Sequence, residues 1–166
     1  GRNARHLDIA CGTGRFLTML KQARPRQRVV GLDLSPPYLR KADRTLRAWS
    51  RTFLLQANAE QIPFPDESFE TLSCIFLYHE LPRKVRTQVT REMARLLKAG
   101  GRLFFLDSIQ LGDHPAFDTL LSRFPIAFHE PYYDDFIRAD LAAMFEAAGL
   151  RVVESERAFF SKLLIA

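Results

Sequence analysis

The segment Leu7-Asp8-Ile9-Ala10-Cys11-Gly12-Thr13-Gly14 does most to limit what this chain can become. An apolar run enters a glycine turn, and a helical pattern follows. A second apolar run, Val29-Val30-Gly31-Leu32, then ends on Asp33. Glycine lets the backbone bend sharply and leaves bare N–H groups against which a ligand can sit. A carboxylate about 20 residues beyond such a turn is placed to accept both hydroxyls of a ribose. Together these features predict an adenosine-containing ligand, bound where the strand order of a parallel sheet reverses.

The spacing also separates the kinds of adenosine ligand. A dinucleotide site uses G-x-G-x-x-G, whose third glycine lets helix and strand pack closely beside a pyrophosphate. Here that third position is Leu17, and Asp8 stands inside the approach to the turn. A carboxylate there would repel a pyrophosphate but suits a ligand carrying an ammonium and a sulfonium.

The segment resembles motif I of class I S-adenosylmethionine (SAM)-dependent methyltransferases, an acidic residue followed by spaced glycines. Three further segments fit the same family in order. Leu32-Asp33-Leu34-Ser35 resembles its ribose site, and Asn58-Ala59-Glu60 with the run to Glu70 its adenine loop and the approach to strand 4. Leu96-Leu97-Lys98-Ala99-Gly100-Gly101-Arg102-Leu103 resembles its turn into strand 5. The likeness is strongest to the small-molecule branch that includes ubiquinone and menaquinone biosynthesis methyltransferases. It implies that Asp8, Ala10, Gly12, Gly14, Asp33, Leu34, Asn58, Ala59, Glu60, Phe76 and Leu77 bind the cofactor, SAM, which leaves as S-adenosylhomocysteine. Ala10 stands where the family often has glycine, and Asn58 where it often has aspartate. The implied fold is a Rossmann-like, doubly wound α/β sheet of seven strands, order 3-2-1-4-5-7-6, with strand 7 antiparallel. Helices before the first strand commonly cover the cofactor in this family. The chain begins only a few residues before that strand, so those helices are expected to be missing.

Periodicity supports the alternation. Strands are expected at 5–10, 28–33, 52–56, 71–77 and 102–107, nearly continuous apolar runs of the kind buried parallel strands need. Helices fit 15–23, a segment capped by Ser35 with Pro36 in its first turn, and a long segment opened by Pro82 and ended by Gly100-Gly101. Residues 111–133 read as an aromatic loop with a short helix. Asp134 and Asp135 start another helix that ends at Gly149. Strands near 150–156 and 158–165 are joined too tightly for a crossover helix, so they must be antiparallel.

With 166 residues, 47% hydrophobic and 26% charged, the chain reads as one domain over 1–166. There is no apolar run long enough to span a membrane and no signal-peptide pattern. Two cysteines, Cys11 and Cys74, in apolar contexts do not make a disulfide framework, and a reducing cytoplasm is expected. The net charge of +5 comes from arginines scattered among carboxylates, without the basic and aromatic stripe that stacks single-stranded bases. A nucleic-acid partner is therefore not expected, and only weak contact with acidic lipid headgroups stays open. Oligomeric state is not legible.

Methyl transfer from a sulfonium needs alignment and exclusion of water, and a base only where the acceptor must lose a proton. Phe76-Leu77-Tyr78-His79-Glu80 follows strand 4, where the donor's reactive end should lie. His79 suits removal of a phenol or enol proton, or else it packs and caps the turn before Pro82. Tyr78, Tyr132 and Tyr133 are candidate substrate contacts. His114 and His129 match no metal-ligand spacing, so no metal is expected. Ser35-Pro36-Pro37-Tyr38 resembles a tetrad that grips a flipped base, but it follows strand 2 rather than strand 4 and reads as a helix cap. The expected activity is methylation of O or C on a small aromatic or quinone-like acceptor. An RNA or protein methyltransferase and a non-catalytic SAM-binding module are the alternatives.

Overall fold

The computed structural model describes residues 4–166, built around one seven-stranded sheet in the order β3-β2-β1-β4-β5-β7-β6. The strands are β1 (Arg5–Ile9), β2 (Arg28–Asp33), β3 (Thr52–Gln56), β4 (Phe69–Ile75), β5 (Leu97–Ser108), β6 (Glu154–Ala158) and β7 (Ser161–Ile165). β1 to β5 run parallel, and β7 lies antiparallel between β5 and β6. This is the topology expected from the chain's alternation and its tight final link.

The helices are α1 (Arg15–Ala23), α2 (Pro36–Leu46), α3 (Arg83–Leu96), α4 (Asp118–Phe128), α5 (Tyr133–Ile137) and α6 (Leu141–Ala147). Alternation along β2 sorts side chains to the two faces: Val29 packs with Leu17 of α1 and Leu46 of α2, whereas Leu32 joins the larger core with Val89, Met93 and Phe145. Ser35 caps α2, its side chain accepting from the Tyr38 N–H at 3.5 Å, with proline in the first turn. The S-P-P-Y segment is thus a helix start. Cys11 and Cys74 are free and buried. Among the described residues no helix is long and apolar enough to cross a membrane.

Five boundaries differ from expectation. α3 ends at Leu96, and Gly100-Gly101 lie inside β5 instead. The β4–β5 register slips there, with Phe69 opposite Leu97 and Thr71 opposite Arg102, so the glycines absorb extra residues as a bulge. β4 starts earlier and stops at Ile75, because Phe76 takes a left-handed φ of 53° and turns the chain out of the sheet. Residues 111–133 hold an eleven-residue helix, α4. The single helix expected from Asp134 to Gly149 is two, since Asp140 caps α6 by accepting from the Ala143 N–H at 2.9 Å. The last two strands begin later than the apolar pattern implied, around a turn at Phe159-Phe160.

Candidate active site

A cleft of about 990 Å³ opens at the carboxyl ends of β1, β2 and β4, on both sides of the turn after β1. It lies where adjacent crossovers diverge, β1–β2 to one side and β4–β5 to the other. Ten of the eleven expected cofactor contacts line it: Asp8, Ala10, Gly12, Asp33, Leu34, Asn58, Ala59, Glu60, Phe76 and Leu77. Gly14 does not. Its φ of +77° opens α1, and a Cβ there would stand 2.8 Å from Leu46 Cδ1. Expected among the cofactor contacts, Gly14 instead stands beside the cleft and serves the close approach of α1 to α2.

The turn itself is strained in a telling way. Ala10 has φ 56° and Gly12 φ 54°, so two of its positions use left-handed backbone. That conformation explains why glycine suits position 10, although alanine occupies it. Nothing lies within 4 Å of the Cβ that Gly12 lacks, so this side of its Cα faces open space.

Asp33 is buried, 6% exposed, yet its carboxylate is held at the cleft wall. One oxygen accepts from the Gly12 N–H and the other from the Ser35 N–H, each at 2.8 Å. Two backbone donors fix its rotamer and leave a lone pair on each oxygen for an incoming hydroxyl pair. Asp8, 2% exposed, accepts from Ser73 Oγ at 2.5 Å. Burial drives its pKa up to about 7, with the Ser73 hydrogen bond opposing and the Asp33 charge assisting. Across the cleft, Asn58 Oδ1 accepts from the Glu60 N–H at 2.9 Å and closes the loop after β3. Phe76, 47% exposed, and Leu77 form an apolar wall after β4.

His79 follows them on a short 3-10 turn, Tyr78–Glu80; it lies next to the lining residues Leu77 and Glu80 without lining the cleft itself, and its Nε2 is 3.8 Å from Glu80 Oε1. Its Nδ1 lies 2.7 Å from Asp107 Oδ1, and Asp107 is fully buried at the end of β5. The Tyr78 and Ser108 N–H groups also donate to Asp107, each at 2.8 Å. Burial of the imidazole lowers its pKa, but the hydrogen bond and charge of Asp107 outweigh this, and the net shift is upward. Asp107 was not singled out from sequence. The available signal was a lone carboxylate closing the apolar run Leu103-Phe104-Phe105-Leu106 at the functional end of a parallel strand.

The tyrosines divide. Tyr78 is corrected: it is 0% exposed, bonded to Thr90 Oγ1 at 2.7 Å and wedged against Phe105, so it is core and out of reach of a substrate. Tyr133 is buried beside His79, ring centroids 6.2 Å apart, with its hydroxyl 3.0 Å from Ser108 Oγ. Tyr132 is exposed and lies outside the residues that line the cleft. Cleft residues missed from sequence include Arg15, Phe16, Met19 and Tyr38. Their spacing on α1 and α2 marks them only as helix positions.

The family described as "Methyltransferase domain" matches residues 7–101, from β1 into β5. The chain is 30% identical over 177 residues to a demethylmenaquinone methyltransferase of Lactiplantibacillus plantarum, covering 93% of this chain and 73% of that one. A demethylmenaquinone methyltransferase of Bacillus licheniformis is 33% identical over 110 residues, 66% of this chain and 47% of that protein. The chain thus spans about half the length of the second relative. A SAM-dependent methyltransferase from Aquifex aeolicus shares the fold, with TM-score 0.74, 20% identity, and coverage of 98% of this chain and 81% of that one.

Proposed function

The chain belongs to the class I SAM-dependent methyltransferases, and on that premise we propose that it transfers a methyl group from SAM to an oxygen or carbon of a small, quinone-like acceptor. The observation that carries the reading is the Asp33 carboxylate, pinned by the Gly12 and Ser35 N–H groups at the mouth of the glycine turn. The residues present fit the cofactor: an open cradle at Gly12, a carboxylate prepared for two hydroxyls, and a second, buried carboxylate, Asp8, on the last residues of β1. The cleft volume, about 990 Å³, is at the upper end of small-molecule sites.

When bound, SAM supplies an electrophilic methyl group on a sulfonium. Everything else falls to the chain. Asp33 receives the ribose hydroxyls, the 58–60 loop borders the base, and Asp8 receives the ammonium. Phe76 and Leu77 exclude water from the reacting end, where solvation would oppose displacement. His79 takes the acceptor's proton at Nε2, because Asp107 occupies Nδ1 and fixes the tautomer. Tyr133 packs behind the imidazole and restricts its rotation. The quinone-like acceptor class is supported by the names of the relatives and by the apolar wall of the cleft.

Calorimetry with SAM and S-adenosylhomocysteine tests the cofactor half of the proposal. Binding of both at one site per chain is expected, and binding of neither overturns it. Incubation with SAM and demethylated naphthoquinones or benzoquinones in reduced form tests the acceptor half. A methylated quinol is the expected product, and methylation of RNA or protein in its place would replace the acceptor assignment.

A further inference from the structure

A line of hydrogen bonds leaves the cleft at Asp8 and runs back through the sheet. Ser73 Oγ donates to Asp8 Oδ1 at 2.5 Å, His6 Nε2 lies 2.9 Å from Ser73 Oγ, and Thr71 Oγ1 lies 2.9 Å from His6 Nδ1. The parallel register makes this possible, since His6 stands opposite Thr71 and Asp8 opposite Ser73. Alternate residues of a strand share a face, so four polar side chains line up across β1 and β4. Asp8, Ser73 and His6 are all buried.

The direction of the line follows from what each group can do. An ionised carboxylate only accepts, so the Ser73 hydroxyl must donate to it. The Ser73 oxygen then takes the His6 Nε2–H, which leaves Nδ1 to accept from the Thr71 hydroxyl. This requires a neutral imidazole, and burial of His6 lowers its pKa to about 4. Every donor in the line therefore points toward Asp8. Such an arrangement favours the charged carboxylate and does nothing for its protonated form.

We propose that Ser73 and His6 are positioning residues for cofactor binding, keeping Asp8 as the anion that receives the ammonium of the methionine moiety. The proposal rests on the reading of this cleft as a SAM site. Asp8 is finely balanced, since its burial and the facing Asp33 both oppose ionisation while Ser73 favours it. The two thiols that feel the Asp8 charge, Cys11 on the turn after β1 and Cys74 on β4, stay protonated, because burial and the nearby carboxylates push both upward, so they bring no charge of their own to Asp8. The hydroxyl line is then the counterweight that decides Asp8's charge near neutral pH. A merely structural set of buried hydrogen bonds would, when broken, cost the same affinity at every pH and leave the Asp8 midpoint in place.

Two readouts on the full chain test this. Carbon-13 NMR follows the Asp8 carboxyl in ligand-free protein, for the parent, Ser73→Ala and His6→Phe, the last retaining a ring against Phe16. Calorimetry follows S-adenosylhomocysteine affinity between pH 6 and 8.5. The Asp8 midpoint should rise by about one pH unit in Ser73→Ala and by less, in the same direction, in His6→Phe. Affinity in Ser73→Ala should fall about fivefold at pH 7 and return close to the parent's at pH 8.5, as the carboxylate is restored. An unmoved Asp8 midpoint in both variants overturns the proposal, and so does an affinity loss equal at every pH. Midpoints that shift as expected in the variants, together with a parent protein that binds no S-adenosylhomocysteine at any pH, overturn the cofactor reading instead, and the binding role with it.

Discussion

His79 Nδ1 lies 2.7 Å from Asp107 Oδ1, a contact that joins the turn after β4 to the end of β5. The pair holds the imidazole's pKa above its ordinary value near 6.5, despite burial, with Glu80 and Glu130 adding smaller pulls. A raised folded-state value means the pair's stabilisation is complete below about 6.5 and disappears as pH rises through the folded value. Catalysis runs with the opposite sign. A base must be neutral to accept a proton, so kcat should climb as pH rises through that same raised value. Asp107→Asn should move the imidazole's NMR titration down and carry the pH–rate midpoint down with it. A titration that stays in place would separate Asp107 from His79.

His79→Gln keeps a polar side chain of similar reach and removes the base. Turnover should drop by about 10²-fold or more, the usual contribution of a positioned base, with SAM affinity essentially unchanged. Stopped-time assays beside calorimetry read both quantities. Undiminished turnover at neutral pH would return His79 to a packing role against Phe76, Tyr133 and Phe136.

Asp33→Ala should weaken SAM binding by about 1.5–3 kcal/mol, the scale of hydrogen bonds to a charged group. The loss has two sources. The ribose hydroxyls lose their acceptor, and the Gly12 and Ser35 N–H groups lose the partner that holds the turn open. Asp33→Asn separates them, because an amide oxygen still accepts from one N–H but offers less to the hydroxyl pair. Equal affinity for all three proteins would end the ribose assignment.

The sheet order was legible because nearly every local signal agreed with it: apolar strands, capped helices, and a final link too short for a crossover. Asp8 and Asp33 were legible for a related reason, as carboxylates at strand ends where apolar residues are otherwise demanded. Position alone misled at Tyr78. Its place beside His79 suggested a substrate contact, yet the 3-10 turn rotates the ring inward to Thr90 and Phe105, and no periodicity exists over three residues to foretell that. His6 was missed because its partners, Thr71 and Ser73, sit about 65 positions away and meet it only through strand register. The break at 138–140 was hidden because the apolar spacing continues across it.

Position 10 and position 14 offer the sharpest test of what the turn's residues are for. Both adopt left-handed backbone, Ala10 at φ 56° and Gly14 at φ 77°, but only one carries a side chain. Gly14→Ala adds a Cβ to a strained φ and thrusts it against Leu46 Cδ1 and Ala42 Cβ, so about 1–3 kcal/mol of stability should be lost. Ala10→Gly runs the other way. Removing a Cβ from a left-handed position relieves strain of about 1 kcal/mol, offset in part by the added freedom of the unfolded chain. A net gain of a few tenths of a kcal/mol is expected from denaturant melts. SAM affinity should hold or rise in this variant, since the backbone turn is kept and the cleft wall recedes. A clear loss of stability in Ala10→Gly would show that the alanine methyl makes packing contacts worth more than the strain it imposes, and position 10 would then be a packing site rather than a tolerated departure.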